Sequence, residues 1–322
     1  MFPTKKSKAV KKSKKARYHL EPMDDSYPKK GKLVSFSQYQ KYNQCPKSWK
    51  LRYIDKHKQS STSMHLVFGE VIHEIVQEYL TMCFNGSVAD ADKIDHISEI
   101  KTRLVAKYTE VKDSLGKHFS SSEELEEFFW DGVAIMNELK KRRREFFSTK
   151  DFVLLAIELP VKLELRTDIW MISYLDIVLY NQTDDILLIV DLKSSTRGWT
   201  KEDKSDKIKG SQLVLYKQHF STAYNVPIEK IDVEFIILKR KVYENTEFPQ
   251  KRLQRVIPSH GPKTTKGINK SFDTFLDEIF NDDGSYNQNR EYKAISGDKD
   301  KNCKFCPYVD LHTLCKPSER NR

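Results

Sequence analysis

Four features of the sequence place polar or ionisable groups where chemistry can be done. They are His73 in a helical stretch, Asp176 inside an apolar run (Tyr174-Leu-Asp-Ile-Val178), the triplet Asp191-Leu-Lys193 closing the next run, and Gln212-x-x-x-Tyr216 beyond it. Residues two apart on a strand point to one face, so Asp191 and Lys193 project together while Leu192 turns toward the core. An Asp inside a buried run needs a cation, hydrogen-bond donors or a raised pKa, because an unpartnered buried carboxylate is costly. A neighbouring strand that sets Asp176 beside Asp191 makes a two-carboxylate site for Mg2+ or Mn2+, which prefer oxygen ligands. Lys193 then reaches a metal-bound water and a phosphate under attack; it can orient or help deprotonate the water and offset transition-state charge. His73 and the Leu192 carbonyl complete the metal shell, and Glu158, one strand earlier, is a further ligand or water-orienting group. Singly, each feature has an ordinary reading: a packed histidine, a turn-forming aspartate, a Gln and a Tyr sharing a helix face. Their order carries the information.

The five cysteines are the second signal. Cys303, Cys306 and Cys315 crowd into the last 20 residues as C-x2-C-x8-C, a clustering that asks for a metal or cluster site. Cys83, in Thr81-Met-Cys-Phe84, reads as a buried or spare thiol.

These groups need elements to hold them. The chain of 322 residues suits one large or two ordinary domains. No apolar run approaches the roughly 18 residues of a membrane span, and no apolar segment follows the basic N-terminus as in a secretory signal; the expected location is cytoplasmic, with no membrane partner. The net charge of +10 is uneven, since residues 5 to 17 carry seven Lys and Arg17 without an acid, leaving the rest near +2. Such a cationic arm suits the phosphate backbone of nucleic acid; a solvated or targeting tail is the other reading. Residues 1–32 read as a disordered basic tail. A helix capped by Ser35 or Ser37 is expected to run to about Tyr53, and Gly69 to lead into a second, carrying His73. Residues 86–150 read as a helical insertion, with Ser121-x-x-Glu124 as a capping box and a basic cluster at 140–144 able to touch phosphates or simply solvate a helix end. Runs at 152–165, 169–180 and 186–193 read as strands, 207–224 as a helix and 232–239 as a strand, with one more helix around 271–280. The whole is an α/β fold with a mixed central sheet.

Asp176, Asp191-Leu-Lys193 and Gln212-x-x-x-Tyr216 resemble the PD-(D/E)xK nuclease superfamily in its RecB-like branch, and His73 falls where that branch carries a helix histidine. The opening Ser35-Phe-Ser-Gln-Tyr-Gln-Lys-Tyr-Asn-Gln-Cys-Pro46, with Trp49 and Tyr53, is similar to the start of these domains. Cys303-x-x-Cys306-Pro307 with Cys315 looks like the iron–sulfur form found in AddB-type helicase–nuclease subunits and CRISPR-associated RecB-like exonucleases. The resemblance spans about residues 33–316 and implies a restriction-endonuclease-like core. It also implies that Cys45 joins the three C-terminal cysteines around a 4Fe–4S cluster, a clasp in segment 303–315 between the two ends of the domain. By donor chemistry alone, four thiolates suit zinc or an iron–sulfur cluster equally. Two departures stand out: Ser173-Tyr-Leu-Asp176 has no Gly before the first Asp, and the segment between Lys193 and Gln212 is long and charged, which fits a DNA-contacting loop with Trp199 as a base-stacking surface and equally a plain surface loop.

The expected function is a metal-dependent DNA nuclease, with exonuclease action on single strands or duplex ends in repair, recombination or replication following from the resemblance alone. Gln212 and Tyr216 would contact the DNA backbone. No Walker A motif is present, so a helicase partner would be a separate chain. The alternative is a non-catalytic DNA-binding scaffold with the same fold, and the retained Asp176, Asp191 and Lys193 argue against it.

Overall fold

The computed structural model describes residues 17–28, 30–57, 62–243, 247–248 and 250–321; the cationic run at 5–15 lies outside the described residues. Along the chain, β1 (Lys32–Val34) leads into α1 (Phe36–Gln44) and α2 (Pro46–Tyr53). A helical layer follows: α3 (Met64–Asn85), α4 (Val88–Asp92), α5 (His96–Leu115) and α6 (Ser122–Phe146). Then come β2 (Phe152–Arg166), β3 (Ile169–Asn181) and β4 (Ile186–Ser195), α7 (Lys201–Ser205), α8 (Lys207–Tyr224), β5 (Ile231–Lys239), β6 (Leu253–Val256) and α9 (Pro262–Ile279). The described chain closes with the two-residue strands β7 (Ala294–Ile295) and β8 (Arg320–Asn321).

The architecture is the α/β fold expected, a mixed sheet between two helical layers. β2 pairs antiparallel along β3, while β1 (parallel) and β4 (antiparallel) take the first and last parts of β3; β4 pairs parallel with β5, and β5 antiparallel with β6. One face packs Ile177, Leu179, Val190, Leu192 and Ile236 under α3, α5 and α6. The other packs Val178, Leu187, Ile189, Phe235 and Ile237 under α1, α8 and α9, with the rings of Tyr39, Tyr42 and Trp49 gathered round Phe275. Alternate strand residues thus serve opposite layers, which is why these strands are apolar almost throughout.

Local departures from expectation have identifiable causes. The helix expected to run to Tyr53 is broken at Cys45, which is extended (φ −160°). A residue before proline is pushed out of the helical region, so Pro46 ends α1 and starts α2. Ser35 caps α1 by accepting the Gln38 N–H. Gly69 lies inside α3 rather than ahead of it. At the head of α6, Ser121 accepts the Glu124 N–H, but the Glu124 carboxylate takes the Ser120 hydroxyl instead of closing the box. α9 begins at Pro262, well before 271, because its first half is polar and hides the helical period.

The tail expected to be disordered to residue 32 contains an ordered strap. Tyr18 packs edge-on against Tyr180, Leu20 joins the core, and Tyr224 donates to the Glu21 carbonyl. Met23 Sδ then accepts the Lys162 N–H on β2, and Tyr174 donates to Asp25 at 3.1 Å. On the described ladder β2 pairs with β3 alone, so the strap covers an otherwise open sheet edge.

Candidate active site

The site lies where the sheet forks. Pairing of β3 with β4 stops at Ile177 opposite Val190, while β4 continues beside β5 from Leu187 to Ser195. Beyond Val190 the two strands part, and Asp176 bridges the gap: its Oδ2 accepts the Leu192 N–H at 2.7 Å. This is the donor that a carboxylate inside an apolar run requires. β2 and β3 also roll over at this level. Ile157 and Ile177 face the α3 layer, whereas Leu159 and Leu175, two residues away on each strand, face the α8 layer. Glu158, between Ile157 and Leu159, takes a left-handed backbone (φ +48°), a strained conformation for a non-glycine residue.

Around the fork the polar groups are tied together. Lys193 Nζ lies 2.7 Å from Asp191 Oδ2, and Gln212 Nε2 donates to Asp191 Oδ1 at 2.9 Å and to the Tyr216 hydroxyl at 3.2 Å. His73 Nδ1 stands 3.8 Å from Asp176 Oδ2. Gln77 donates to Glu158 Oε1 at 2.6 Å and, at 3.4 Å, to the Asp176 carbonyl. Gly69, His73 and Gln77 are four apart and share one face of α3. At Gly69 an added Cβ would stand 3.1 Å from Ser194 Oγ, so the absent side chain lets α3 come close enough for the next two residues to reach the fork.

Asp191 is 3% exposed, and burial pushes its carboxyl up to about 6; Asp176 adds to this and Lys193 opposes it. Burial works against the Lys193 ammonium, but Asp191 and Asp176 outweigh it and hold Lys193 charged, above the ordinary lysine value. Tyr216 is held protonated by burial and then by Asp191.

The structure therefore brings His73, Glu158, Asp176, Asp191, Leu192, Lys193, Gln212 and Tyr216 to one place. Gln212 is half-buried with its amide on Asp191, and Tyr216 is buried behind it. Trp199 is half-buried: it packs on Phe235 (ring centroids 4.8 Å apart), Lys209 Nζ stands 5.6 Å from its ring centre, and Gln254 clamps its main chain at both ends. The basic cluster at 140–144 is largely spoken for: Arg142 pairs with Glu138 and Glu145, and Arg143 with Asp92. Sequence reasoning missed Gln77; its spacing from His73 on an apolar helix was the available signal.

Among the described residues, no three or more His, Cys, Asp or Glu side chains are arranged to hold a metal ion. At the fork, the donors present still suit a hard divalent cation: two neighbouring carboxylates, one fully buried and resisting ionisation, are the arrangement such a cation relieves. The four cysteines expected to form one ligand set line a single cavity without being drawn into such a set. None of the described cysteines is in a disulfide. Cys45 Sγ accepts the backbone N–H groups of Ser48 (3.5 Å) and Ile295 (3.4 Å), which fix the sulfur toward the cavity. Soft sulfur donors of this kind fit zinc or an iron–sulfur cluster.

No described helix is long and apolar enough to cross a membrane. No match to the chain is found among curated proteins. The family model of the PD-(D/E)XK nuclease superfamily matches residues 33–311, from β1 through the fork to the cysteine segment, and the chain belongs to that superfamily.

Proposed function

We propose that the protein is a metal-dependent deoxyribonuclease of the RecB-like kind, acting as an exonuclease on single strands or duplex ends. The observation that carries the reading is the fork itself: Asp176, Asp191 and Lys193 converge on one point where two strands part. Asp176 and Asp191 would hold Mg2+ or Mn2+, with His73 and the Leu192 carbonyl as further ligands. When bound, the ion would supply an activated water and Lewis-acid stabilisation of the scissile phosphate. The protein's own residues do the rest. Lys193, kept charged by its carboxylate neighbours, orients the attacking water and offsets phosphoryl charge rather than serving as the base. Gln212 fixes the orientation of Asp191 and takes its own bearing from Tyr216. Gln77 does the same for Glu158, which stands ready to orient water.

The cysteine cavity is read as the seat of a 4Fe–4S cluster, with zinc as the lesser candidate, closing the two ends of the domain without electron transfer. The shared cavity and the N–H donors on Cys45 support this. DNA repair, recombination or replication is the proposed setting, with any helicase a separate chain, in a cytoplasmic location.

The test uses DNA labelled at the 5′ or 3′ end, anaerobically purified protein, added Mg2+ or Mn2+, and Lys193→Ala alongside. Metal-dependent release of label by the wild type, absent in the variant, is expected, and the label gives the polarity. Equal activity in both proteins would remove Lys193 from the chemistry. Intact DNA with both would favour a DNA-binding scaffold.

A further inference from the structure

We propose that a recess beside the cysteine cavity is a binding subsite for one base of single-stranded DNA, with Phe305 as its stacking surface. The choice of ligand rests on the nuclease reading above; the site itself shares no residue with the fork, and its inner wall, Cys45, Ser48 and Cys306, is common to the cysteine cavity. Cys303 and Cys306 close a tight turn (Cys306 N–H to the Cys303 carbonyl, 3.0 Å) and both line the cavity, so Lys304 and Phe305 between them face outward. Small or polar residues ordinarily occupy such turn positions. Here a phenylalanine stands 83% exposed, adding almost nothing to the core. An exposed aromatic ring beside cations is what sequence-tolerant base stacking uses.

The recess next to that ring holds about 220 Å³ and is lined by Lys41, Gln44, Lys301, Asn302, Phe305 and the inner residues Cys45, Ser48 and Cys306. Pockets for drug-sized ligands run from roughly 300 Å³ upward, so this one suits a single planar ring system. Its charged lining is cationic only, Lys41 and Lys301 with no acid, which complements a phosphate backbone. Lys304 Nζ lies over the Phe305 ring at 5.4 Å and can follow a phosphate when a base takes the ring face. The walls are joined, since Asn302 donates from the loop to the Gln44 carbonyl at the end of α1 (2.8 Å). At its other end, α1 begins with Phe36, whose ring lies 6.5 Å from that of Tyr216. Nine helical residues span about 12 Å, so recess and fork lie at the two ends of one short rigid rod, a few nucleotides of single strand apart.

The experiment measures binding of a fluorescent oligothymidylate to full-length Lys193→Ala protein, without added divalent metal, by anisotropy. Adding Phe305→Ala is expected to weaken binding about tenfold, Phe305→Trp to preserve it, and Trp130→Ala, at an exposed aromatic on α6, to leave it unchanged. Because the Phe305 ring is exposed, melting temperatures should coincide, which separates lost binding from lost fold. Lys41→Gln with Lys301→Gln should flatten the salt dependence. Binding by Phe305→Ala within about twofold of the parent would overturn the proposal. So would an equal loss in Trp130→Ala, or displacement of the oligonucleotide by poly-glutamate at matched charge. Cleavage is not read, so failure of the nuclease reading and failure of this site give different results.

Discussion

The fork and the cysteine cavity are built in opposite ways. The fork stands on long strands, and its polar groups are fixed by short hydrogen bonds within the sheet (Asp176 to the Leu192 N–H) and from the helices packed on it (Gln212 of α8 to Asp191, Gln77 of α3 to Glu158). The cavity stands on the helix junction at Cys45, the first turns of α2 and a run of tight turns, with the two-residue pair β7–β8 beside them. A site on strands can be preorganised by the protein alone, whereas a site on turns gains most from a ligand that holds its donors together. The fork is therefore expected to keep its shape with or without the proposed metal, and the cavity to depend on the cluster or zinc proposed for it.

The sharpest way to break that contrast is Lys193→Ala. The proposed role predicts a loss of cleavage of roughly a hundred- to a thousandfold, read in single-turnover assays. Circular dichroism of the variant should remain native-like, because the strands and the Asp176 bridge are untouched.

Next is Arg240→Ala. Arg240 is buried with its guanidinium 3.7 Å from the centre of the Phe128 ring and 2.9 Å from Asp131, and its N–H meets the Ser195 carbonyl just past the fork. Losing it leaves Asp131 buried with Lys241 alone, a cost of about 3 kcal/mol in urea denaturation. Proteolytic cutting should increase in α5 and α6 before it does in 294–321; the reverse order would contradict a separately held cavity.

Acid should act on the sheet and its helices. Burial holds His219 on α8 down to about 4, and burial followed by the Lys140 charge holds His96 near about 4 as well. Both are neutral in the fold, so their contribution is intact above about 6.5 and is lost as pH falls from there toward 4, by up to about 3 kcal/mol each. His219→Phe should flatten that limb in pH-dependent melting; an unchanged profile would place the acid sensitivity elsewhere.

Removing the cluster or zinc proposed for the cysteine cavity, by chelation or Cys303→Ser, should lower the melting temperature by at least about 5 °C and expose 294–321 to protease. No change in either would make the cavity ordinary packing. The smallest effect belongs to Glu158→Gly. It relieves the left-handed backbone, so stability should hold or rise by less than about 1 kcal/mol while cleavage falls. A clear loss of stability would mean that the bond from Gln77 outweighs the strain.

Much of the fork was legible because each clue was local. Asp176 broke an apolar run, Asp191 and Lys193 obeyed the two-residue period of a strand, and Gln212 and Tyr216 obeyed the four-residue spacing of a helix. What stayed hidden needed three dimensions. Gln77 was one polar residue on an apolar helix until Glu158 came opposite it. The strap at 17–28 has no period, and its contacts are with residues far along the chain, such as Tyr180 and Tyr224. Arg240 and Asp131, 109 residues apart, gave no sign of being partners. The partners of Trp199 were hidden for the same reason, since Phe235 and Gln254, which pack on and clamp it, come later in the chain. The break at Cys45 was the exception: Pro46 announced it.

The junction at Cys45 also sets an order in time. The fork's Asp176, Asp191 and Gln212 belong to one stretch of chain and can meet soon after it is made. The cavity joins Ser48 to Cys306 and Gln44 to Asn302 across 258 residues, so its first wall must wait through that much further synthesis for its second. Until then α2 has no cover from Tyr308, whose hydroxyl donates to the His57 carbonyl. The cavity is thus completed after the fork, and a ribosome that stalls before residue 303 leaves a fork with its strands in place and an open flank.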